Sequence, residues 1–319
     1  MDAKALLERE AQEWLVLLTS GRATAADAEA FNRWCGRSRS HAEAFAEANL
    51  LWENLGSAAQ RVHNTLAPAH ANSNRVAAGR RAFLVGAGAS AAAAISYLVV
   101  RPPFDLWPSA RELSADYRTS TGERRRIAME NGVTIDLNTR TSLNLRRNVD
   151  EEQLELVSGE ATVATVQKLA APLTITAAGG RIQVSDASFN LRCDGAGAVV
   201  TCDRGSIAIE YFANSVVLPE GRQIVYGNGT WEAATIVDPT VVMAWREGQL
   251  IFRRTPLLQV IAEVNRYRPG RIVLTNEALG RRLVEARVPL DRVDDLIVLV
   301  REAYGAHVTT LPGGIVVLS

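Results

Sequence analysis

The sequence has few of the residues that build catalytic or metal centres. It contains three cysteines, none in a Cys-x-x-Cys pair, and four scattered histidines. A zinc site or a disulfide framework needs several such ligands at defined spacings, so we expect no metal and no cofactor. The sequence also lacks a nucleophile elbow, a metal-binding motif and an evident acid–base pair, so we expect no catalytic residues and no enzymatic activity.

The sequence also has no excess of charge of either sign. Its 35 basic residues are balanced by 35 acidic residues. A protein that binds nucleic acid directly normally carries a surplus of positive charge that attracts phosphates. The charge balance therefore argues against direct binding to DNA or RNA.

A chain of 319 residues is longer than one hydrophobic core usually supports, which predicts several folded parts. Changes in composition and periodicity divide it into five segments. They are a small all-α bundle (1–57), a linker (58–81), an apolar segment (82–100), a β-rich domain (101–238) and a small α+β domain (239–319).

The apolar segment contains no charged residue from Ala82 to Val100. As a helix it would be about 28 Å long, close to the hydrocarbon thickness of a bilayer. It predicts a single transmembrane helix, the alternative being a buried alanine-rich core helix. Arg80 and Arg81 precede it and Arg101 follows, so the bias of positive charge places the N-terminus in the cytoplasm.

Arg80 and Arg81 also resemble the paired arginines of a twin-arginine export signal, since an Ala- and Gly-rich segment follows them. Arginines before a membrane span also serve simply as orientation anchors. Both interpretations place residues 101–319 on the far side of the membrane.

The N-terminal segment predicts three short amphipathic helices. Leu7, Ala11, Trp14 and Leu18 recur at helical spacing before Gly21. A domain this small buries only part of its apolar surface and gains stability from a partner. Its large aromatic residues either form the bundle core or anchor that partner: Trp14, Phe31, Trp34, Phe45 and Trp52.

The β-rich domain consists of short runs of β-branched residues separated by glycine-containing turn signals. This spacing predicts a sandwich or a stacked β-roll. The turn signals are Asn131-Gly132, Ser158-Gly159, Gly179-Gly180, Arg204-Gly205, Glu220-Gly221 and Asn228-Gly229. Cys193 and Cys202 flank a predicted hairpin, and they would form a disulfide only if the strand register placed them face to face.

The last segment predicts two strand–helix–strand units, which make a compact α+β domain. The first runs from Gln249 to Leu274 and the second from Leu283 to Leu318. The order resembles the small N-terminal signalling domain of secretins and TonB-dependent receptors.

The chain as a whole resembles the FecR-type transmembrane anti-sigma regulators of bacterial iron-signalling systems. The helical segment carries their pattern in its aromatic residues and His41, and the β-rich domain in Asp136-Leu137-Asn138 and Ser158-Gly159-Glu160-Ala161. The most specific signature is at the C-terminal end: Ala244 to Phe252, Thr255-Pro256-Leu257 and Asn265-Arg266-Tyr267.

The resemblance implies an inner-membrane protein with its N-terminus in the cytoplasm and its C-terminus in the periplasm. Trp14, Phe31, Trp34, Phe45 and Trp52 would bind an extracytoplasmic-function sigma factor. The α+β domain would bind the N-terminal signalling domain of a TonB-dependent siderophore receptor, the transducer, through Trp245, Leu250, Phe252 and Tyr267. A regulatory protease would pass the signal on.

Some relatives cleave themselves at a Gly-Thr bond, and the matching position here is Asp186-Ala187. Alanine has no nucleophile, so we expect no self-cleavage at this bond. A second interpretation of the α+β domain is an assembly adaptor for an outer-membrane secretin or transporter, which gives no reason for the tryptophan-bearing bundle.

Overall fold

We analysed a computed structural model of the chain. It describes residues 3–19, 25–35, 37, 38, 40, 41, 44, 45, 47, 48, 109–147, 152–194, 197–311 and 314–319. The linker 58–81, the apolar segment 82–100, Arg80, Arg81 and Trp52 lie outside these residues. Within the described part, no helix has the length and apolar character needed to cross a bilayer.

Two helices begin the chain, α1 (Ala3–Thr19) and α2 (Ala25–Cys35). They confirm the first two predicted helices. Ala11 and Leu15 are buried on one side of α1, as the apolar spacing predicts. Part of the third predicted helix is also present, because His41, Phe45 and Ala48 are helical.

A short helix α3 (Ala110–Leu113) leads into a β-rich region of thirteen strands, which confirms the predicted β-rich character. The first seven strands are β1 (Tyr117–Arg118), β2 (Arg125–Ala128), β3 (Val133–Leu137), β4 (Ser142–Arg147), β5 (Glu152–Thr165), β6 (Leu173–Ala177) and β7 (Gly180–Val184). The others are β8 (Ala187–Asp194), β9 (Gly197–Tyr211), β10 (Asn214–Pro219), β11 (Arg222–Gly227), β12 (Thr230–Trp231) and β13 (Thr235–Ile236).

Two long strands, β5 and β9, connect two layers of sheet. The first part of β5 pairs with β4 and β6, and its second part pairs with β3 and β8. Likewise, β9 pairs first with β8 and β11, then with β7 and β10. Both strands therefore contribute side chains to one continuous apolar core.

The prediction of turns at Ser158-Gly159 and Arg204-Gly205 is wrong, since both glycines lie inside these long strands. Each has a positive φ, 93° for Gly159 and 77° for Gly205. A Cβ on Gly159 would lie 2.4 Å from Thr141 Cα, and one on Gly205 would lie 2.5 Å from the Asp186 carbonyl oxygen. The glycines allow each strand to bend from one layer into the other where the backbones are closest.

The structure answers the open question of a disulfide between Cys193 and Cys202: the two residues are not joined. Both side chains are buried, and neither takes part in a disulfide. In the β8–β9 pair Cys193 lies opposite Ala198, while Cys202 lies opposite Phe189. The register therefore keeps the two sulfur atoms apart along the hairpin.

The C-terminal region begins with helix α4 (Pro239–Val242) and a 3-10 turn (Ala244–Glu247). Its strands form a two-stranded sheet, β14–β16, and a three-stranded sheet in the order β15-β18-β17. The elements are β14 (Gln249–Pro256), α5 (Leu257–Val264), β15 (Arg271–Leu274), α6 (Glu277–Gly280), β16 (Leu283–Pro289), α7 (Asp295–Tyr304), β17 (Val308–Leu311) and β18 (Ile315–Leu318). Apolar residues of both sheets, α5 and α7 share one core.

Candidate functional site

Four of the five predicted sigma-binding residues lie together on the N-terminal helices. We call Trp14, Phe31, Trp34 and Phe45 the aromatic surface. The ring centroids of Phe31 and Phe45 are 4.6 Å apart, those of Trp14 and Phe31 are 5.6 Å apart, and Trp34 lies 6.4 Å from both Trp14 and Phe31. Such distances are typical of aromatic pairs that stabilise one another beyond simple burial.

Polar contacts fix the position of Trp34 within the aromatic surface. Its indole Nε1 donates a hydrogen bond to Glu10 Oε2 at 2.8 Å, which joins α2 to α1. The His41 ring lies 5.0 Å from it in an edge-on arrangement. A groove beside Trp14 and Trp34 is lined by Glu10, Glu13, Leu17 and Arg37, so an apolar floor has charged sides.

The aromatic surface is partly covered by the C-terminal region. Trp34 and Phe45 belong to the same apolar cluster as Val273 of β15 and Ile315 of β18. Trp34 and Phe45 are buried, whereas Trp14 and Phe31 are half-buried. The side chains therefore form a core in this arrangement, and their role in binding a partner stays a prediction.

The second candidate site is the contact between the β-rich region and the C-terminal region, which we call the polar interface. It brings together the family-like motifs, which are far apart in the sequence. Its residues are Asp136, Asn138, Glu160, Asn190, Arg192, Trp245, Arg246, Glu263, Arg266 and Tyr267.

Glu160 on β5 is the centre of the polar interface. Its carboxylate accepts hydrogen bonds from Asn138 Nδ2 and Asn190 Nδ2, both at 2.8 Å. Arg266 Nη2 lies 2.7 Å from Glu160 Oε2, and the Glu160 side chain is only 6% exposed. A buried carboxylate is costly unless it is fully paired, and here three side chains surround it.

Arg266 joins this centre to α5 of the C-terminal region. Its Nη1 also donates to Glu263 Oε1 at 2.6 Å, and Glu263 Oε2 accepts from Arg192 Nη1 at 2.7 Å. Burial opposes the charge of Arg266, but Glu160 and Glu263 outweigh it and raise the pKa of Arg266. Burial likewise opposes ionisation of Glu263, but Arg266 and Arg192 hold the pKa of Glu263 below its usual value.

Two aromatic residues complete the contact through their polar atoms. The Tyr267 hydroxyl accepts a hydrogen bond from Asn138 Nδ2 at 2.6 Å. Trp245 Nε1 donates to Asn190 Oδ1 at 3.4 Å. Desolvation by burial raises the pKa of Tyr267 despite the nearby charge of Arg266, so its hydroxyl stays protonated.

At the edge of the polar interface, Asp136 holds two arginines. Arg126 Nε lies 2.6 Å from Asp136 Oδ1, and Arg246 Nε lies 2.8 Å from Oδ2. Burial opposes ionisation, but the hydrogen bonds and charges of both arginines lower the pKa of Asp136. Arg246 belongs to the C-terminal region, so this pair adds a third ionic connection between the regions, after Arg266–Glu160 and Arg192–Glu263.

The predicted transducer-binding residues are all buried: Trp245, Leu250, Phe252 and Tyr267. Trp245 and Tyr267 contact the β-rich region, and all four belong to the core of the C-terminal region. Direct contact with another protein would require this core to open, and the assigned role stays a prediction. Sequence reasoning missed Asn190, Arg192 and Glu263, because the residues that pair across the interface are far apart in the sequence. Asn190 and Glu160 are 30 positions apart, and Arg192 and Glu263 are 71 positions apart.

The bond matched to the cleavage site of some relatives, Asp186-Ala187, lies in a closely packed bend. Ala187 is buried, and its N–H donates to Thr165 Oγ1 at 3.1 Å. Asp186 pairs with Arg204 at 3.2 Å. The expectation of no self-cleavage stays a prediction.

Comparison with known proteins identifies two segments of the chain. Residues 115–208 match the FecR protein family, and residues 9–51 match a domain of unknown function, DUF4880. No curated protein matches the sequence.

The fold is similar to two crystal structures of a candidate anti-sigma factor from Parabacteroides distasonis. The first has a TM-score of 0.55 and 20% identity, over 64% of this chain and 97% of that chain. The second has a TM-score of 0.54 and 20% identity, over 63% and 96%. At this identity the similarity establishes a shared fold.

Proposed function

We propose that this chain, which is a FecR-type regulator by the two segments it carries, is a membrane-spanning regulator of an extracytoplasmic-function sigma factor. The observation that carries the proposal is the order of its parts. The DUF4880 match (9–51) and the FecR match (115–208) lie on opposite sides of the charge-free segment 82–100. A helix across a bilayer at that segment would hold the two matched parts in different compartments.

The aromatic surface is the proposed binding site for the sigma factor. Trp14 and Phe31 are half-buried. Trp14 also lines a groove together with the charged residues Glu10, Glu13 and Arg37. Large aromatic residues at the centre of a contact commonly provide most of its binding energy. The fold is shared with a candidate anti-sigma factor, which supports a sigma factor as the partner of the chain.

The C-terminal region is the proposed receiver of a periplasmic signal. Its strands β14 and β16 form a two-stranded sheet, so each leaves an edge that a strand of another protein can join. We assign the partner as the signalling domain of a TonB-dependent transducer, with a regulatory protease acting afterwards. The polar interface then couples this region to the β-rich region.

Co-purification tests the sigma-factor assignment. The tagged full-length protein, solubilised from its own membranes, is expected to retain one extracytoplasmic-function sigma factor identified by mass spectrometry. Trp14→Ala is expected to weaken binding by about 2 kcal/mol, roughly 30-fold. Leu6→Ala is the matched control, because Leu6 is an exposed apolar residue of the same helix.

Absence of any sigma factor from the wild-type eluate would reject the assignment, and equal retention by Trp14→Ala and wild type would reject the site. The membrane arrangement is tested separately with reporter fusions at the two ends. A cytoplasmic reporter is expected to be active at the N-terminus and a periplasmic one at the C-terminus. Activity of both in one compartment would exclude the arrangement.

A further inference from the structure

The three-stranded sheet of the C-terminal region has two apolar faces. The inner face, with Ile272, Leu274, Val316 and Leu318, belongs to the core of that region. Side chains alternate along a strand, so the residues between them point outward. Those residues are Val273, Ile315 and Val317, and the register places Val273 beside Val317. We call them the outer sheet face.

The outer sheet face is covered by the N-terminal helices. Val273 is 0% exposed and Ile315 is 7% exposed. Both belong to an apolar cluster whose other buried members are Ala11, Leu15, Trp34 and Phe45. Among the described residues, that cluster includes none from the β-rich region.

The two covered surfaces match in chemistry. A flat face of β-branched side chains packs well against aromatic rings, and burial of both removes a contiguous apolar patch from water. The contact is apolar and non-directional, so it needs no polar partner to form. Surfaces on one chain also meet at an effective concentration on the order of millimolar, so a weak contact is sufficient.

We propose that the aromatic surface and the outer sheet face form a closed state of the chain, populated while both lie in one compartment. Insertion of residues 82–100 into the membrane then separates the two surfaces and exposes the aromatic surface to the sigma factor. The closed state also excludes a sigma factor, since Trp34 and Phe45 cannot contact the outer sheet face and a sigma factor at the same time. The membrane step rests on the proposed function.

Cell-free synthesis of the full-length chain tests the closed state. A photo-reactive p-benzoylphenylalanine replaces Thr309, an exposed residue that pairs with Val317 on the neighbouring strand. Without membranes, irradiation is expected to join position 309 to residues 3–48, detected as a cross-linked peptide. With inverted inner-membrane vesicles, the protease-protected inserted fraction is expected to show at least a tenfold lower yield.

Two matched controls test whether the cross-link reports this contact. The same photo-reactive residue at Val217, which is 65% exposed on β10, is expected to give no such product. Val273→Asp is expected to abolish the cross-link from position 309, whereas Val298→Asp on α7, where Val298 is 43% exposed, is expected to retain it. Protease resistance of residues 109–319 checks that the Val273→Asp variant is folded. If it is not folded, Val273→Thr is used in its place, and a reduced yield of the cross-link from position 309 is expected.

Absence of the cross-link in the membrane-free protein overturns the proposal. An equal yield after insertion, or a yield unaffected by a folded Val273 variant, also overturns it. Sigma-factor co-purification is measured independently. The cross-link can therefore reject the closed state while the proposed function stands, and co-purification can reject the proposed function while the closed state stands.

Discussion

The C-terminal region makes two contacts of opposite chemistry. Its contact with the β-rich region is built from paired charges and amide side chains around Glu160 and Arg266. Its contact with the N-terminal helices is built from the apolar side chains of Val273, Ile315 and the aromatic surface. One small region therefore carries a directional contact and a non-directional contact.

The difference indicates which contact is permanent. Buried charges are stable only where every partner is in place, so the polar interface is compatible with a single orientation of the two regions. An apolar surface accepts any surface of similar shape and chemistry. The polar interface is suited to holding two regions in register, and the apolar contact is suited to exchange.

The largest expected effect comes from removal of the cation at the polar interface. Arg266→Met leaves Glu160 and Glu263 without their shared partner, so we expect a loss of about 3–5 kcal/mol in unfolding free energy. Urea denaturation of the purified full-length protein measures it. Arg281→Met is the control, since its pair with Glu277 is exposed and should cost under about 1 kcal/mol. Equal losses would show that the interface adds no special stability.

Acid is expected to weaken the polar interface and to leave the apolar contact unchanged. The pKa values of Asp136 and Glu263 are lowered in the folded protein. The two carboxylates contribute fully to the unfolding free energy at pH values above their unfolded-state pKa values of about 4. This contribution is lost as the pH falls through their lower folded-state pKa values. Urea midpoints at pH 7, 5 and 3 measure this loss.

Two variants separate the contacts in the acid experiment. Asp136→Asn should lose less stability between pH 5 and pH 3 than wild type, since one titrating group is absent. Val273→Ala, which alters only the apolar contact, should keep the wild-type pH dependence. A steeper acid loss in Val273→Ala than in wild type would contradict the assignment.

The smallest expected effect is that of a single hydrogen bond. Tyr267→Phe removes one of the two acceptors of Asn138 Nδ2 and should cost about 1–2 kcal/mol, because this buried NH2 group then keeps only Glu160 as an acceptor. Tyr304→Phe removes an exposed hydroxyl that donates to the Leu283 carbonyl and should change the unfolding free energy by less than about 0.5 kcal/mol. Thermal denaturation compares the two.

Short-range patterns predicted much of the secondary structure. The two predicted strand–helix–strand units have the expected outer bounds, because alternation and β-branched residues mark their strands locally. Strand β14 begins at Gln249 and β15 ends at Leu274, while β16 begins at Leu283 and β18 ends at Leu318. The end of a helix is less evident from such patterns, and α5 ends at Val264. Asn265 ends it by bonding to Ile272 N and O, a contact that periodicity does not reveal.

The path of the long strands was not predictable from local patterns. Gly159 and Gly205 look like turn residues in the sequence, but each lies within a strand. A glycine with positive φ serves equally in a turn or where two backbones come close. The two cases are distinguished only by the close approach of the Thr141 backbone to Gly159 and of the Asp186 backbone to Gly205.

The polar interface was visible in the sequence only as separate motifs. Glu160 and Asn190 lie on strands and Asn138 directly follows β3, and all three polar side chains are buried. Buried polar side chains need partners, so these polar residues in and next to strands were the available signal. Their partners could not be assigned, because the pairing depends on how two regions dock.

A single strand, β5, carries both ends of a mechanical connection. Glu155 pairs with Arg111, near the start of the β-rich region, and Glu160 pairs with Arg266 of the C-terminal region. These positions are separated by about 17 Å of extended backbone, with the bend at Gly159 between them. One continuous backbone therefore links the C-terminal region, through Glu160, to the start of the β-rich region, through Glu155.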